Sequence, residues 1–239
     1  MRPAMQVLEV WGDLACFTRP ELKVERFSYP VITPSAARGI FDAIYRKPSF
    51  RWQVKKVELL ALPNYIALRR NEVKGKAPSL RTIQEWMAGK KEPQPLWADG
   101  DDEATGRTQR QTMALKGVRY RLHAEIRLWP EWMSELPAME AQFRRRASKG
   151  QCIYQPYLGC REFPAFFRLV EAESLESPPK AWDIDIGFML YDVFNLARPG
   201  NCEDDPAISI FRAKVIGGVM QVPDYEESAV LKIGKEALA

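Results

Sequence analysis

The chain has 239 residues, 46% hydrophobic and 28% charged, long enough for one large domain or for one domain with a small appendage. No apolar run approaches the roughly 20 residues of a membrane span. The opening MRPAMQVLEVWGD has neither the apolar stretch nor the small-residue cleavage site of an export signal, so a soluble, cytoplasmic protein with no membrane partner is expected. The net charge of +4 is unevenly spread: residues 1–168 hold 29 Lys/Arg against 18 Asp/Glu, and residues 169–239 hold 6 against 13. The first part suits a polyanion and the second should avoid one.

MQVLEVWG reads as a strand that is apolar on both sides, the pattern of a central strand. The segment FTRPELKVERFSYPVIT is charged and interrupted by prolines, which argues for loop. Thr33 as N-cap, Pro34 in the first turn, and Ala37, Ile40, Phe41 and Ile44 at helical spacing predict a helix, stopped by Pro48, whose apolar stripe lies on the sheet. FRWQVKKVELL and YIALRRNEV read as strands on either side of Pro63-Asn64. Residues 74–107 read as an irregular or hairpin-like excursion with a short helix at SLRTIQEWM. A long alternating span, TQRQTMALKGVRYRLHAEIRLW, is followed by an amphipathic helix from about Glu131 to Ala147 and a last strand, EFPAFFRLVE. This β-α-β-β-α-β order is the ferredoxin-like pattern of an α+β protein, shared with the RNA recognition motif. Beyond the linker-like SLESPPKAW, two strand segments, WDIDIGFMLYDVF and ISIFRAKVIGGVMQV, predict a small antiparallel sheet. The expected organisation is therefore a ferredoxin-like domain, 1–174, and a β-sheet extension, 175–239.

The chain carries no G-x-S-x-G elbow, P-loop or H-E-x-x-H motif. Cys16, Cys152, Cys160 and Cys202 form no C-x2-C pair and share the chain with a single histidine, so they read as free thiols. The acidic run DGDDE reads as a solvated loop; no metal or other cofactor is expected. Cleavage of RNA needs neither, because the 2′-hydroxyl is a built-in nucleophile. The protein has only to position it, accept a proton and stabilise charge on the phosphate.

Tyr45, at the end of the first predicted helix, shares a face with Arg38 and Asp42 and is followed by the cations Arg46 and Lys47. It can be a proton acceptor or a packing residue. Lys116 has the parity of the apolar strand face but precedes Gly117, whose freedom to bend the chain would expose it. His123 lies about 23 Å along the strand from Lys116, which argues against its being the base and for a solvent-facing or RNA-contacting role among arginines. A phosphate-tracking surface is expected from Arg38, Arg46, Lys47, Arg69, Arg70, Arg110, Arg119 and Arg121, with Trp11, Phe17, Tyr29 and Trp52 as platforms for unpaired bases. The triplet Arg144-Arg145-Arg146 either joins that surface or complements its own helix terminus.

The run WGDLACFTRPELKVERFSYPVITPSAARGIFDAIYRK, with RRNEV, QRQTMALKGVRY and QCIYQPYLGCREFPA in order behind it, resembles the CRISPR-associated Cas-five family in its subtype I-C form. Members of this RAMP-superfamily group are endoribonucleases that cut CRISPR repeat transcripts. The resemblance spans most of residues 5–170 and is weaker beyond. It implies a ferredoxin-like domain with a β-sheet extension that binds the repeat RNA hairpin and cuts its 3′ base without metal, leaving a cyclic phosphate. The enzyme then stays on the crRNA as a subunit of a type I-C interference complex. It further implies catalytic roles for Tyr45 and Lys116. Gly117 stands where such relatives can carry histidine, so the resemblance leaves the proton acceptor open. It also admits a non-catalytic subunit that holds the crRNA 5′ handle. Duplex DNA, held without sequence preference, is a further partner compatible with the charge.

Overall fold

The computed structural model describes residues 2–73, 76–94, 107–171, 177–200 and 205–233. The chain runs through β1 (Gln6–Ala15), β2 (Arg26–Phe27), α1 (Pro34–Ile44), β3 (Phe50–Leu59), β4 (Tyr65–Val73), α2 (Leu80–Met87), β5 (Arg107–Leu128), α3 (Leu136–Ser148), β6 (Phe166–Leu169), β7 (Ile184–Asp192), β8 (Ile208–Ile216), β9 (Val219–Gln221) and β10 (Val230–Ile233). Among the described residues these strands form one sheet, in the order β10-β8-β9-β3-β5-β1-β6, with β2 and β4 pairing β5 and β7 pairing β8 off that path. The four central strands are antiparallel neighbours, β5 lying between β1 and β3 and β6 flanking β1. With α1 linking β1 to β3 and α3 linking β5 to β6, this is the ferredoxin-like β-α-β-β-α-β unit.

The chain divides into two compact units, Met1–Ile66 with Met113–Ala239, and Ala67–Thr112. The second holds most of β4, the short helix α2 and the start of β5; α2 begins at Ser79, whose side chain accepts from the Thr82 N–H. In the first unit, β9 pairs with β3 from Lys56 to Glu58 and so ties β8 and β10 to the ferredoxin-like strands. No helix among the described residues is long and apolar enough to cross a membrane.

The first helix starts where the sequence predicts it: Thr33 Oγ1 accepts from the Ala36 N–H at 3.2 Å and Pro34 occupies the first turn. It ends at Ile44, one residue short of Tyr45, which is extended at φ −152° and ψ 119°. The second packing helix corrects the expected start near Glu131. Residues 130–135 form a 3-10 turn and the α-helix begins at Leu136, because Pro137 lacks an N–H and is tolerated only in a helix's first turn. The last core strand also shrinks to four residues, since Pro164 bridges to Tyr157 and the ladder starts only at Phe166.

Strand parity sorts the sheet into two faces. Leu8, Val10, Leu122 and Ala124 are fully buried on the side of the helices. There Phe41 of α1, Phe143 of α3 and Trp52 of β3 form an aromatic cluster with ring centroids 4.6–5.7 Å apart. Truncating any of them would cost about 3–5 kcal/mol. Val7, Glu9 and Trp11 point to the other face, opposite His123, Arg121 and Arg119 of β5.

Candidate nucleic-acid interface

A cleft of about 840 Å³ runs along the outward side of α1, between that helix, residues 154–159 and the segment from Leu190 to Gly200. Its floor is an ion network. The Arg38 guanidinium donates from Nε and Nη2 to both carboxylate oxygens of Asp192, at 2.8 and 3.1 Å, and from Nη1 to Asp42 Oδ2 at 2.6 Å. The fork-to-carboxylate geometry is that of a strong pair. Asp192 is also held by the backbone N–H groups of Val193 and Phe194. Burial pushes the Asp42 carboxyl above its usual range, against the pull of Arg38 and Arg46. Arg38 therefore sits in this network beneath the cleft rather than on an open phosphate-tracking surface.

Arg46 and Lys47 follow the helix, are exposed, and line the cleft with Trp129 and Tyr154. The tyrosines come from the loop QCIYQPYLGCREFPA, which is pinned along its length. Ile153 N–H donates to Ala43 O at 2.6 Å and Cys16 N–H to Leu158 O at 3.0 Å. Gly159, at φ +85°, lies so close to β1 that a Cβ would meet Cys16 O at 2.1 Å. Only glycine satisfies both conditions. Tyr154 is half exposed, and burial with Asp42 nearby pushes its phenol above its usual range, which keeps it neutral. Sequence reasoning missed Tyr154, Tyr157, Trp129 and Asp192. The loop carries the family resemblance as a whole, and nothing in its residue types distinguishes the tyrosines.

The helix end itself is tied down from a distance. Arg146 Nε donates to Ile44 O at 2.7 Å and the Tyr45 N–H to Phe41 O at 2.9 Å. The arginine triplet is thus divided: Arg146 caps α1 rather than its own helix, Arg144 pairs with Glu171, and Arg145 donates to Gln142 at 3.0 Å. Tyr45 leaves the face it was expected to share with Arg38 and Asp42. It is 6% exposed, its ring 5.5 Å from that of Phe50, and its carbonyl accepts from Trp52 Nε1 at 2.9 Å.

Lys116 is exposed beside Gly117, whose φ is +63°. The structure does not bring Tyr45 and Lys116 together. Trp52, which touches Tyr45, lies opposite Ile126, and the strand from Lys116 to Ile126 is about 33 Å long at the usual rise. Neither residue lines the cleft.

The other expected positions separate into exposed and enclosed groups. Arg119 is half exposed, donating to Glu9 at 2.5 Å. Arg121, two residues on, is buried: it donates to Glu58 at 2.6 Å and to Ser177 O at 2.9 Å. His123 corrects the expectation of a solvent-facing imidazole. It is buried with Nε2 3.2 Å from Glu58, and burial, aided by Lys56, pushes its pKa down to about 4 despite that carboxylate. In the second unit Arg69 is exposed, and Arg70 and Arg110 are half-buried. Of the proposed stacking aromatics, Phe17, Tyr29 and Trp52 are core residues, 1–2% exposed; Trp11 alone is half-buried. Cys16, Cys152 and Cys160 are free thiols. The acidic run at 99–103 and Cys202 lie outside the described residues.

The helix-backed sheet and the basic cleft along α1 define a protein of the ferredoxin-like class, and its fold is matched by solved structures. One, described as a CRISPR-associated protein, aligns with TM-score 0.64 at 20% identity over 97% of this chain and 98% of its own. Another, a functionally uncharacterized protein from Streptococcus mutans, gives 0.62 at 20% identity over 97% and 98%. A family model described as "CRISPR-associated protein (Cas_Cas5)" matches residues 6–223, and the chain belongs to that family. It is 41% identical over 196 residues to a Thermus thermophilus protein named "CRISPR pre-crRNA endoribonuclease Cas5d", covering 82% of this chain and 76% of that one. It is 37% identical over 224 residues to a Mannheimia succiniciproducens protein of the same name, covering 91% and 94%.

Proposed function

We propose that this chain is a pre-crRNA endoribonuclease: it recognises the CRISPR repeat hairpin and cuts it at its 3′ base. The observation that carries the reading is the 41% identity, over 82% of the chain, with a relative named for that activity. Cleavage proceeds by attack of the 2′-hydroxyl on the adjacent phosphate, which leaves a cyclic phosphate and needs no metal. Arg46 and Lys47 on the rim, with Arg119 and the exposed Arg69, supply the phosphate contacts. Tyr45 is the proposed base at the end of α1. Lys116 acts on the RNA backbone at the Gly117 bend, as a contact distinct from Tyr45. The product stays bound, the protein serving in the cytoplasm as a subunit of a type I-C interference complex. Residues 175–239 are an extension added to the ferredoxin-like unit through the β9–β3 pairing.

A second reading is a non-catalytic subunit that holds the crRNA 5′ handle. It draws support from the burial of Tyr45 and its separation from Lys116. One assay decides. Wild type, Tyr45→Phe and Lys116→Ala are incubated with a labelled repeat hairpin in EDTA, and fragments and end groups are resolved. A single cut with a cyclic phosphate, lost in Tyr45→Phe while folding and binding persist, is the expected result. An intact but bound hairpin with wild type makes the chain a handle-binding subunit. With His123 buried and its pKa near 4, the rate should rise toward alkaline pH without an ionisation near the usual imidazole value of about 6.5. A bell near neutrality abolished by His123→Ala would overturn Tyr45 as base. Competition between repeat RNA and duplex DNA of equal length tests whether DNA is also held.

A further inference from the structure

We infer that the helix-free face of the sheet carries a second RNA subsite, which holds a short run of unpaired nucleotides by stacking bases on Trp11 and Phe166 and pairing their phosphates with Arg119 and Arg168. The inference rests on the RNA-processing reading for its choice of polymer and for Arg119 as a phosphate contact, but its face lies outside the α1 cleft.

Register places the four side chains together. Trp11 on β1 lies opposite Arg119 on β5 and Phe166 on β6, so the three form one row across neighbouring strands. In the next row Glu9 lies opposite Arg121 and Arg168. All point away from the helices, because Leu8 and Val10, at the alternate parity, are fully buried against them. Trp11 and Phe166 are stacked, with ring centroids 6.2 Å apart and planes 27° from parallel, and Phe166 is 51% exposed. A surface phenylalanine already stacked on an indole presents a flat, pre-ordered π-face, which a base can extend with little further ordering.

Glu9 explains the two arginines. It is 3% exposed and sits beneath them, accepting from Arg119 Nε at 2.5 Å and from Arg168 Nη2 at 2.8 Å. Burial alone would raise its pKa, but the hydrogen bonds from Arg168 and Arg119 outweigh that and hold it below the usual range. The carboxylate therefore stays ionised and steers both guanidiniums, whose side chains remain 52% and 49% exposed. Half-exposed guanidiniums favour a phosphate chain over an apolar protein segment, which would have to strip water from both. Because duplex bases are already stacked on each other, only unpaired nucleotides can use the aromatic pair.

The test is anisotropy of a short unpaired oligoribonucleotide and of a blunt RNA duplex, with wild type, Phe166→Leu, Phe166→Tyr and Arg168→Ala. Leucine keeps the apolar bulk without the π-face and should weaken single-strand binding about ten-fold, whereas tyrosine restores it. Arg168→Ala should lower the salt slope by about 0.7. Duplex affinity should change far less in Phe166→Leu. Single-strand affinity unchanged in Phe166→Leu, or equal losses on both RNAs, overturns the subsite and leaves the face to a protein subunit. Hairpin cutting by wild type is scored separately. Aromatic-dependent single-strand binding by a protein that does not cut would leave this inference standing while the nuclease reading fails.

Discussion

Arg119 and Arg121 lie two residues apart on one strand and point to one face, yet only the first meets solvent. Arg119 is 52% exposed over Glu9, whereas Arg121 is 5% exposed, locked to Glu58 beneath the chain at Ser177. Helix α1 repeats the contrast: Arg38 is enclosed by Asp42 and Asp192, while Arg46, beyond the helix end, is exposed on the cleft rim. The surplus of base in residues 1–168 is therefore not all available to a polyanion. Part of it is consumed internally by carboxylates that lie far away in sequence.

The enclosed set should respond through stability and the exposed set through binding. The largest effect is expected from Asp192→Ala, which leaves Arg38 facing Asp42 alone in a buried site and should cost about 3 kcal/mol by urea unfolding. A loss below about 1 kcal/mol would show that the network is not structural. Next is the pH dependence set by His123. Its folded pKa, about 4, lies below the unfolded value, so the unfolded state binds the extra proton and stability rises with pH through this window. About 2 kcal/mol should be lost between about pH 7 and about pH 5. His123→Gln should flatten that dependence; an unchanged slope would assign it to other groups. The smallest effect on stability, within about 0.5 kcal/mol, is expected from the double substitution Arg46→Ala and Lys47→Ala. It should still weaken hairpin binding about ten-fold and lower the salt slope by about 2 units. A large drop in melting temperature with unchanged binding would reverse the two sets.

The order of core elements was legible because their signals are local: Thr33 and Pro34 open α1, and alternation marks β1, β3 and β5. Boundaries failed where one residue outweighed periodicity, as Pro137 does at α3. The site was less legible, since whether a charged residue is exposed depends on partners the sequence does not bring near: Asp192 is 154 positions from Arg38 and Glu58 is 63 from Arg121. Residue type could not say that Phe17, Tyr29 and Trp52, unlike Trp11, would be swallowed by the core. The exposure of Lys116 was legible for a local reason, the glycine that follows it and turns at positive φ.

The bond from Arg146 to Ile44 O spans 102 residues, and the neighbouring one joins Ile153 to Ala43. During synthesis α1 emerges early, but two of its terminal carbonyls stay open until the chain beyond α3 has left the ribosome. The rim that presents Arg46 and Lys47 is thus among the last parts of the domain to be fastened, and a truncated or stalled chain would display a helix without a finished mouth.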